Sequence, residues 1–462
     1  MTNAVTTIAV IGAGFSGTIT AVHLLKAELS VPLRILLIDS NEPGRGLAYG
    51  TDDPRHVLNV PAAGMSAFDD APEDFVQYLQ RRYGTAAPTE FVARSIYGDY
   101  LQKTLNAAIA EKSEMTVFEN IRSTAVDIVE IDQRYEIVLS NGNSVVADKI
   151  VLALGNTAPA APTLRDSSFF ANSRRYIGNP WQPDLLDAID EKWPILLIGT
   201  GLTAVDIVLK LLAKPFLGKI YAVSRHGLQP IAHRGLSGKL PVIDLPSLND
   251  SGRFTITHIT RVLRRRSKEA IALGRDWRDI IAALRPTLPK LWRQLSHTER
   301  QRLLRHIAAY WDVHRHRLAP SVAATFQDAL VSKRLKLLAG RITALTDTGN
   351  AVDVAIRERG SDKLLALTVG TVINCTGPTT RVSSIDSPLL QSLITKGLIK
   401  VDECGLGISV ADNYSTTSAE NYAHSLFYIG PWLKAEYWEA TAVPELRGHA
   451  KRASDSVLAS LN

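Results

Sequence analysis

The sequence predicts an α/β fold with two doubly wound domains, each built on a parallel β-sheet. The main observation is a repeated pattern, in which an apolar strand, a glycine-rich loop and an amphipathic helix follow one another twice. Each repeat is closed further along the chain by an apolar strand that leads into a glycine. The chain has 462 residues, which is enough for two or three domains at roughly 150 residues each.

The elements of the first repeat follow one another in a fixed order. They are a strand over 7–11, the loop Gly12-Ala13-Gly14-Phe15-Ser16-Gly17, a helix with apolar residues at 19, 22, 25 and 29, a strand over 34–38 that ends on Asp39, a hairpin over 135–146 around Asn141-Gly142, and a strand over 149–154 before Gly155.

The second repeat has the same order. It contains a strand over 195–198, the loop Gly199-Thr200-Gly201-Leu202-Thr203-Ala204, a helix with apolar residues at 205, 208, 209 and 212, a strand over 220–223 that ends on Ser224-Arg225-His226, alternating segments over 341–367, and a strand over 372–375 before Gly377.

We therefore predict two Rossmann-like dinucleotide-binding domains, one formed by residues 1–190 with 371–462 and the other by 191–370. The second contains a helical insertion over about 252–330, in which the apolar spacing predicts three helices, interrupted by Pro286 and Pro289. Residues 426–462 are expected to return to the first domain as a strand and a C-terminal helix.

The positive charge of the chain is concentrated in the insertion. The net charge is +6, and residues 255–320 contain 15 Lys or Arg against 5 Asp or Glu. Such a segment can attract anions, whether a cofactor phosphate, an acidic substrate or nucleic acid. Two cysteines without a CxxC pair argue against a disulfide framework and a thioredoxin-like redox centre. The N-terminus lacks the basic start of a signal peptide and no apolar stretch is long enough to span a membrane, so we expect a cytoplasmic protein.

The first glycine loop has the spacing of a dinucleotide-binding turn, with Asp39 standing 22 positions after Gly17. Glycines let the backbone approach a pyrophosphate at a helix N-terminus, and a carboxylate at this place accepts hydrogen bonds from a ribose hydroxyl. The candidate binding residues here are Gly12, Gly14, Phe15, Ser16, Gly17 and Asp39. The alternative is a strand–turn–helix without a ligand.

The second loop offers Gly199, Gly201, Leu202 and Thr203 for a second dinucleotide, with Ala204 at the third glycine position. No carboxylate follows its second strand, where Ser224, Arg225 and His226 stand instead. Because a carboxylate repels a 2′-phosphate and an arginine binds one, this pattern favours NADPH over NADH. A solvated basic turn is the alternative.

The sequence resembles a family of uncharacterised FAD/NAD(P)-binding proteins of the YdhS type and, more distantly, flavin-containing and N-hydroxylating monooxygenases. The motifs that carry the resemblance span nearly the whole chain. They are Gly44-Arg45-Gly46-Leu47-Ala48-Tyr49, Leu58-Asn59-Val60-Pro61-Ala62, Tyr97-Gly98-Asp99-Tyr100, Asn179-Pro180-Trp181, the second glycine loop, Trp311-Asp312-Val313-His314-Arg315-His316-Arg317, and residues 438–447.

The resemblance implies FAD in the first domain, with Asp39 on the adenosine ribose and residues 45–62 near the flavin ring. It also implies that a turn at Gly430-Pro431 and a helix starting near Pro444 face the flavin, because a helix N-terminus stabilises a reduced, anionic flavin. The further candidate residues are Arg45, Leu58, Asn59, Gly155, Gly377, Gly430, Pro431, Ala442 and Val443. Residues 176–181 lack the histidine of the corresponding Baeyer–Villiger motif, so we do not expect that activity.

Three further features have two interpretations each. Asp312, His314 and His316 could bind a metal, but the flanking arginines favour packing or an anion, so we predict no metal site. We interpret Cys375 as a buried structural thiol, because nothing in the sequence lowers its pKa. The aromatic residues Trp432, Tyr437 and Trp438 fit the core and a substrate wall equally well.

Our hypothesis from the sequence is an NADPH-dependent, FAD-containing monooxygenase that uses O2 to hydroxylate a small amine or amino acid through a flavin hydroperoxide. The basic insertion motivates the idea of an anionic substrate, and no catalytic residue is nominated. The first alternative is an NADPH-dependent flavin oxidoreductase with a separate electron acceptor. The second is a flavin-nucleotide-binding module acting on nucleic acid, which the lack of aromatic residues interleaved with the basic ones disfavours. No membrane partner is expected.

Overall fold

We describe the protein from a computed structural model. The structure describes residues 5–29, 31–84, 86–182, 184, 186–187, 189–234, 255–416 and 425–461. Residues 252–254 of the predicted insertion lie outside the described residues, as do parts of the predicted first domain, including both chain ends.

The β-strands of the described residues form two large parallel or mixed sheets and two small antiparallel ones. They are β1 (Thr6–Ile11), β2 (Leu33–Asp39), β3 (Thr116–Arg122), β4 (Ala125–Ile131), β5 (Arg134–Leu139), β6 (Ser144–Ala147), β7 (Lys149–Leu152), β8 (Tyr176–Ile177), β9 (Ile195–Ile198), β10 (Ile220–Ser224), β11 (Leu335–Asp347), β12 (Val352–Glu358), β13 (Leu364–Val369), β14 (Thr371–Asn374), β15 (Lys400–Val401), β16 (Ile408–Ser409) and β17 (Leu426–Tyr428).

The α-helices cover the faces of the two large sheets and form the insertion. They are α1 (Phe15–Leu25), α2 (Gly46–Tyr49), α3 (Asp74–Tyr83), α4 (Arg94–Glu111), α5 (Ser168–Asn172), α6 (Leu202–Leu212), α7 (Ile256–Ala272), α8 (Trp277–Leu284), α9 (Leu288–Gln294), α10 (His297–His306), α11 (Ala308–Arg315), α12 (Pro320–Val331), α13 (Pro388–Thr395) and α14 (Val443–Ala459).

The first large sheet has five parallel strands in the order β17–β7–β1–β2–β3. Its central strand β1 is buried from Thr7 to Ile11, as expected for a parallel sheet covered on both faces. The antiparallel sheet β4–β5–β6 precedes β7 in the chain, and Gly142 has a φ of +84° in the predicted Asn141-Gly142 turn. The C-terminal helix α14 packs against α1, and the final stretch thus returns to this sheet.

The second large sheet repeats this plan. Its order is β13–β12–β11–β10–β9–β14–β8, in which β11, β10, β9, β14 and β8 take the places of β3, β2, β1, β7 and β17. The antiparallel strands β12 and β13 extend the sheet beyond β11. The internal repeat read from the sequence is therefore a repeat of sheet topology, and the α/β fold with two Rossmann-like domains is confirmed.

The predicted domain boundaries need a correction. Residues 1–190 and 371–462 were assigned to the first domain, but β8 (Tyr176–Ile177) and β14 (Thr371–Asn374) are hydrogen-bonded in the second sheet. The physical reason is that β14 completes the parallel core of the second repeat beside β9, and β8 then pairs with the free edge of β14. Strand β14, whose residues the domain ranges put in the first domain, thus closes the second repeat, to which the sequence pattern had assigned it.

The insertion has more helices than the sequence predicted. The third predicted helix, which the apolar residues Leu303, Leu304, Ile307 and Trp311 indicate, is divided between α10 and α11, which meet at Ile307. Pro286 and Pro289 do not end the helical region, because each lies in the first turn of a short helix, where its missing N–H costs nothing. Helix α12 packs against α6 and β11, and so covers the second sheet like a Rossmann crossover helix. Over the described ranges, no helix combines the length and apolar character that crossing a membrane requires.

Candidate cofactor-binding site

The first glycine loop joins β1 to α1 and has no room for a side chain at two of its positions. Gly12 has a φ of +101°, and a Cβ built on it would lie 2.2 Å from the carbonyl oxygen of Ala153. A Cβ on Gly17 would lie 1.8 Å from the carbonyl oxygen of Gly12. Both positions therefore require glycine, which lets the loop pass close to the end of β7 and the helix start directly from it.

Helices α1 and α6 both begin at a glycine, without a side-chain cap on their first N–H groups. Their N-cap residues are Gly14 and Gly201, neither first turn contains an acidic residue, and no side chain accepts from their N–H groups. By contrast, Thr255 caps α7 and Ser296 caps α10. The open N–H groups and the positive end of each helix dipole suit a pyrophosphate. The predicted residues in these two first turns are Phe15, Ser16, Leu202 and Thr203.

Asp39 lies beside the first loop at the end of β2. Its Oδ2 accepts a hydrogen bond from the Ala13 N–H (2.7 Å), and its Oδ1 accepts one from the Asn41 N–H (2.8 Å). Oδ1 also accepts from Nδ2 of Asn41 (3.3 Å), whereas Oδ2 keeps a lone pair with which it can accept from a ribose hydroxyl. The Gly44 N–H donates to the Ala13 carbonyl (2.8 Å), which folds the segment after Asp39 onto the same loop.

Two predicted residues of that segment have partners within the protein. The guanidinium of Arg45 lies 2.6 Å from Oδ1 of Asp99 and donates to the Ser95 carbonyl (3.1 Å), so its charge is balanced by α4. Leu58 is buried in the core of the first domain, and its N–H donates to the Val92 carbonyl (2.8 Å). These side chains hold the segment in position.

The C-terminal part of the predicted site comes together around two glycines. A Cβ on Gly430 would lie 3.9 Å from the backbone nitrogen of Gly155, while the space around the Cβ position of Gly155 is open to 4 Å. Pro431 begins a short 3-10 helix after Gly430. Ala442 is the N-cap of α14 and forms no side-chain hydrogen bond, and Val443 is the first helical residue. The N-terminus of α14 thus also lacks a side-chain cap.

The second glycine loop repeats the geometry of the first. Gly199 has a φ of +118°, and its Cβ would lie 2.3 Å from the carbonyl oxygen of Cys375, which corresponds to Ala153 in the first domain. At Gly201, in contrast, a Cβ would have no neighbour within 4 Å. The chain then crosses between the domains beside this loop, where the Thr157 hydroxyl donates to the Thr379 carbonyl (3.2 Å). Gly377 lies in this crossing with a φ of +84°.

The turn after β10 places its predicted residues next to the second loop. The Thr200 hydroxyl lies 2.9 Å from Oγ of Ser224, and this Oγ accepts from the Gly227 N–H (3.0 Å). Arg225 is exposed. Partial burial and the nearby Arg359 and Arg225 lower the pKa of His226, so the imidazole is neutral near pH 7. Ser224 and Arg225 therefore lie beside the second glycine loop, at the end of β10.

Three contacts, which the sequence did not predict, join the second domain to the first: two involve the predicted flavin segment and one involves α4. Nε2 of His233 lies 2.9 Å from the carbonyl oxygen of Asn59. The rings of His56 and Trp181 meet edge to face at 5.8 Å. The guanidinium of Arg94, at the start of α4, lies 2.9 Å from Oδ2 of Asp206 on α6. Burial lowers the pKa of His56 and of His233, so these contacts involve neutral imidazoles.

The insertion contacts the start of α14, so two motifs that are distant in the sequence meet. Nε1 of Trp311 donates to Oε1 of Glu439 (2.7 Å), and Nε of Arg315 donates to its Oε2 (2.6 Å). Arg315 also lies 3.3 Å from Glu445, which pairs with Arg285 as well. Glu439 is only 4% exposed, so the insertion is fixed against the uncapped end of α14 by buried charge pairs.

The remaining predicted features have structural roles. The described residues contain no group of three or more side chains arranged to hold a metal ion, and His314 contacts the Tyr310 carbonyl. Cys375 is buried, and burial raises the pKa of its thiol well above the usual range, as expected for a structural cysteine. Trp438 is buried and stacks on Trp292 of the insertion with ring centroids 4.8 Å apart, which places it in the core.

A family match covers the part of the chain that contains the first glycine loop. Residues 9–157 match a family of FAD-NAD(P)-binding proteins, so this part of the chain is an FAD-NAD(P)-binding domain. An uncharacterized protein from Mycobacterium tuberculosis is 23% identical over 98% of this chain and 95% of its own length. The glycine loops and uncapped helices described above fit dinucleotide cofactors of this kind.

Solved structures share the fold over almost the whole chain. The ornithine hydroxylase of Pseudomonas aeruginosa has a TM-score of 0.63 at 17% identity, covering 99% of this chain and 100% of that one. The cadaverine monooxygenase of Erwinia amylovora, bound to FAD, has a TM-score of 0.66 at 13% identity, covering 99% and 94%. A thioredoxin reductase from Lactococcus lactis is less similar, with a TM-score of 0.52 at 11% identity and 99% coverage of both chains. The chain therefore combines an FAD-NAD(P)-binding domain with a fold that it shares with these solved structures over almost its whole length.

Proposed function

We propose that the protein is an NADPH-dependent, FAD-containing monooxygenase that hydroxylates the nitrogen of a small amine or amino acid. The observation that carries the proposal is the pair of glycine cradles, each leading to an uncapped helix, in domains that touch at Asn59 of the predicted flavin segment. Two bound dinucleotides placed in this way would bring a reductant next to a flavin.

The cysteines support oxygenation over thiol chemistry, although a thioredoxin reductase shares the fold. A dithiol–disulfide reductase needs two cysteines that can pair, whereas the sequence has only Cys375 and Cys404, with no CxxC motif. Cys375 is buried with a raised pKa, and Cys404 lies 3.6 Å from His297 on the insertion. Neither arrangement produces the low-pKa thiolate that exchange requires.

Each end of the two cofactors has a proposed set of partners in this chain. The N-terminus of α1 would hold the pyrophosphate of FAD and Asp39 its ribose, while α14, starting at Ala442, would point its positive end at the flavin. Gly199 and the N-terminus of α6 would hold the pyrophosphate of NADPH, with Ser224 and Arg225 on the 2′-phosphate. Bound FAD would supply the oxygen chemistry and NADPH the two electrons.

The reaction balances as one amine, O2, NADPH and one proton giving one hydroxylamine, water and NADP+. The contribution of the protein to this reaction is positioning and the exclusion of water. The insertion contributes to the exclusion of water, because its residues Trp311 and Arg315 contact Glu439 and so cover one side of the start of α14. An amine is proposed as substrate because the proteins of the same fold include hydroxylases of ornithine, lysine and cadaverine. The excess of arginine on the insertion favours an anionic amino acid over these cationic amines.

The test is a rapid-mixing experiment with 18O2. The FAD-containing protein is reduced with NADPH without oxygen, then mixed with 18O2 and one amine at a time, including ornithine, lysine, cadaverine, aspartate and glutamate. We expect slow return of oxidised-flavin absorbance without substrate and incorporation of one 18O atom into one of these amines. Immediate reoxidation, with all the oxygen recovered as hydrogen peroxide for every amine, would contradict the proposal and indicate the flavin oxidoreductase instead.

A further inference from the structure

A basic hollow of about 420 Å³ lies beside the turn that follows β10. It is lined by Arg225 of that turn and by residues of β11, β12 and the β12–β13 turn, which the sequence did not connect with nucleotide binding. Four arginines line it, namely Arg225, Arg341, Arg357 and Arg359, together with the carboxylates of Glu358 and Asp362. The hollow therefore has an excess of positive charge next to the predicted ribose of the second nucleotide.

The backbone fixes the hairpin arginines next to Arg225. Strand β11 is parallel to β10, so Ser224 at the end of β10 is in register with Ala339. A Cβ on Gly227 would lie 3.0 Å from the Cβ of Ala339, so the turn after β10 rests directly on β11. The Arg359 N–H donates to the Ala339 carbonyl (2.9 Å), which ties the hairpin turn to the same residue.

The four arginines are available to a ligand. All four are exposed, and none forms a side-chain hydrogen bond or an ion pair with another residue that the structure describes. Both Arg225 and Arg359 act on His226, where their charges lower the pKa of the imidazole. Like charges held close together without partners repel one another, so binding of a doubly charged phosphate would be strongly favoured.

We propose that Arg359 and Arg341 complete a 2′-phosphate site with Arg225, so that selection of NADPH does not depend on the turn after β10 alone. Arg225 contacts the phosphate from the side of the turn, and Arg359 and Arg341 contact it from the hairpin. The inference rests on the proposed use of NADPH, and it adds the antiparallel extension of the second sheet to the cofactor site.

The experiment measures binding of adenosine 2′,5′-bisphosphate and of AMP to the FAD-containing protein by calorimetry. Arg359→Ala, Arg225→Ala and the double variant are compared with Lys363→Ala, which removes a cation from the same hairpin outside the hollow. We expect Arg359→Ala and Arg225→Ala each to weaken the bisphosphate about tenfold or more, as for a lost charge-assisted hydrogen bond, and the double variant to weaken it further. AMP binding should stay within about twofold, and Lys363→Ala should match the parent protein in both titrations.

Equal binding of the bisphosphate by Arg359→Ala and the parent protein, with Arg225→Ala weakened, would overturn the proposal. An equal loss of affinity for the bisphosphate in Lys363→Ala would overturn the proposal as well, because it would show a general effect of charge. The binding result is independent of oxygenation. A protein that binds the bisphosphate through Arg359 but never oxygenates an amine would keep this inference and lose the proposed function.

Discussion

In the second glycine loop, the fold requires glycine at one position and has room for a side chain at another. Gly199 has a left-handed φ of +118°, and a side chain there would meet the carbonyl oxygen of Cys375 at 2.3 Å. Gly201 has an extended backbone with a φ of −82°, and its Cβ position has no neighbour within 4 Å. The two glycines thus differ in kind, because one allows strand and loop to touch and the other leaves open the space before α6.

Gly199→Ala is therefore expected to lower stability and to abolish NADPH binding, with a cost in unfolding free energy of about 2 kcal/mol or more from strain and backbone clash. Gly201→Ala is the matched control for folding, since it adds the same methyl group in open space, and it should change the unfolding free energy by less than about 1 kcal/mol. Urea unfolding of both variants, with FAD content recorded, checks the prediction. Equal destabilisation by the two substitutions would contradict the assignment of Gly199 as a close-contact position.

At the scale of one element, α14 combines the proposed flavin contact with a buried polar cluster in its middle. Nδ1 of His449 lies 2.9 Å from the Tyr414 hydroxyl and accepts from Nη2 of Arg452 (3.2 Å), while Nε of Arg452 donates to the same hydroxyl (2.9 Å). This geometry requires a neutral imidazole with a lone pair on Nδ1. Burial and the charges of Arg452 and Arg293 lower the pKa of His449 to about 3.

Stability is predicted to fall as pH decreases from about 6.5, because unfolding raises the pKa of His449 to its ordinary value. Between pH 6.5 and about 3 the unfolded chain binds a proton at this site that the folded protein does not. The free energy of unfolding therefore falls by up to about 1.4 kcal/mol for each unit by which the pH decreases. Above pH 6.5 the contribution is constant. His449→Gln keeps an acceptor for Arg452 without titrating, so the loss of stability between pH 7 and pH 5 should become smaller.

Urea unfolding at pH 7, 6 and 5 measures this slope, and His306→Gln, at an exposed position of α10, is the control. The control should follow the parent protein. The other histidines whose pKa is lowered contribute the slope that remains in His449→Gln, above all His23 and His316, for which burial lowers the pKa to about 4 and about 3. Identical slopes for the parent protein and His449→Gln would show that His449 is protonated to the same extent in both states.

The sequence predicts those elements in which the local backbone geometry requires a particular residue type. The loops at Gly12 and Gly199 require glycine because they contact the residue that follows the closing strand of the same repeat, and such requirements recur as a motif. Arg225 could be assigned because it directly follows a strand. Arg359 could not, since on an antiparallel hairpin it looks like any solvent-facing arginine until the pairing of β11 with β10 is known.

The same reasoning explains the misplaced boundary and the missed helices. An apolar strand followed by Gly377 has the same pattern whether it closes the first sheet or the second, and only its pairing with β9 distinguishes them. The prolines of the insertion were interpreted as breaks because periodicity alone does not show whether a proline stands inside a helix or at its first turn. A local sequence pattern does not show which strands pair or which helices pack together in the fold.

At the scale of the whole molecule, the two domains are held together by a buried charge pair. Arg94 of α4 and Asp206 of α6 have side chains that are 16% and 9% exposed, and their atoms approach to 2.9 Å. Arg94 also donates through Nε to the Val57 carbonyl (3.2 Å), next to the segment that contacts His233. The pair thus connects the nucleotide helix of the second domain to the predicted flavin segment of the first.

Arg94→Met is expected to destabilise the protein by about 3–5 kcal/mol, because it leaves the carboxylate of Asp206 buried without a partner. Arg94→Met with Asp206→Leu should recover part of that loss, since the double variant buries no charge. Arg34→Met is the matched control, because Arg34 and Glu119 form a pair of similar distance (2.6 Å) that is 39% and 46% exposed, and it should cost less than about 1 kcal/mol.

Urea unfolding of the three variants gives the energies, and the rate at which NADPH reduces bound FAD reports the arrangement of the domains. We expect Arg94→Met to slow flavin reduction while FAD remains bound, because the pair acts between the domains and not within the FAD cradle. If Arg94→Met unfolds like Arg34→Met and reduces FAD at the parent rate, the domains are positioned by their remaining contacts. The pairs of His233 with Asn59 and of His56 with Trp181 would then be the next to substitute.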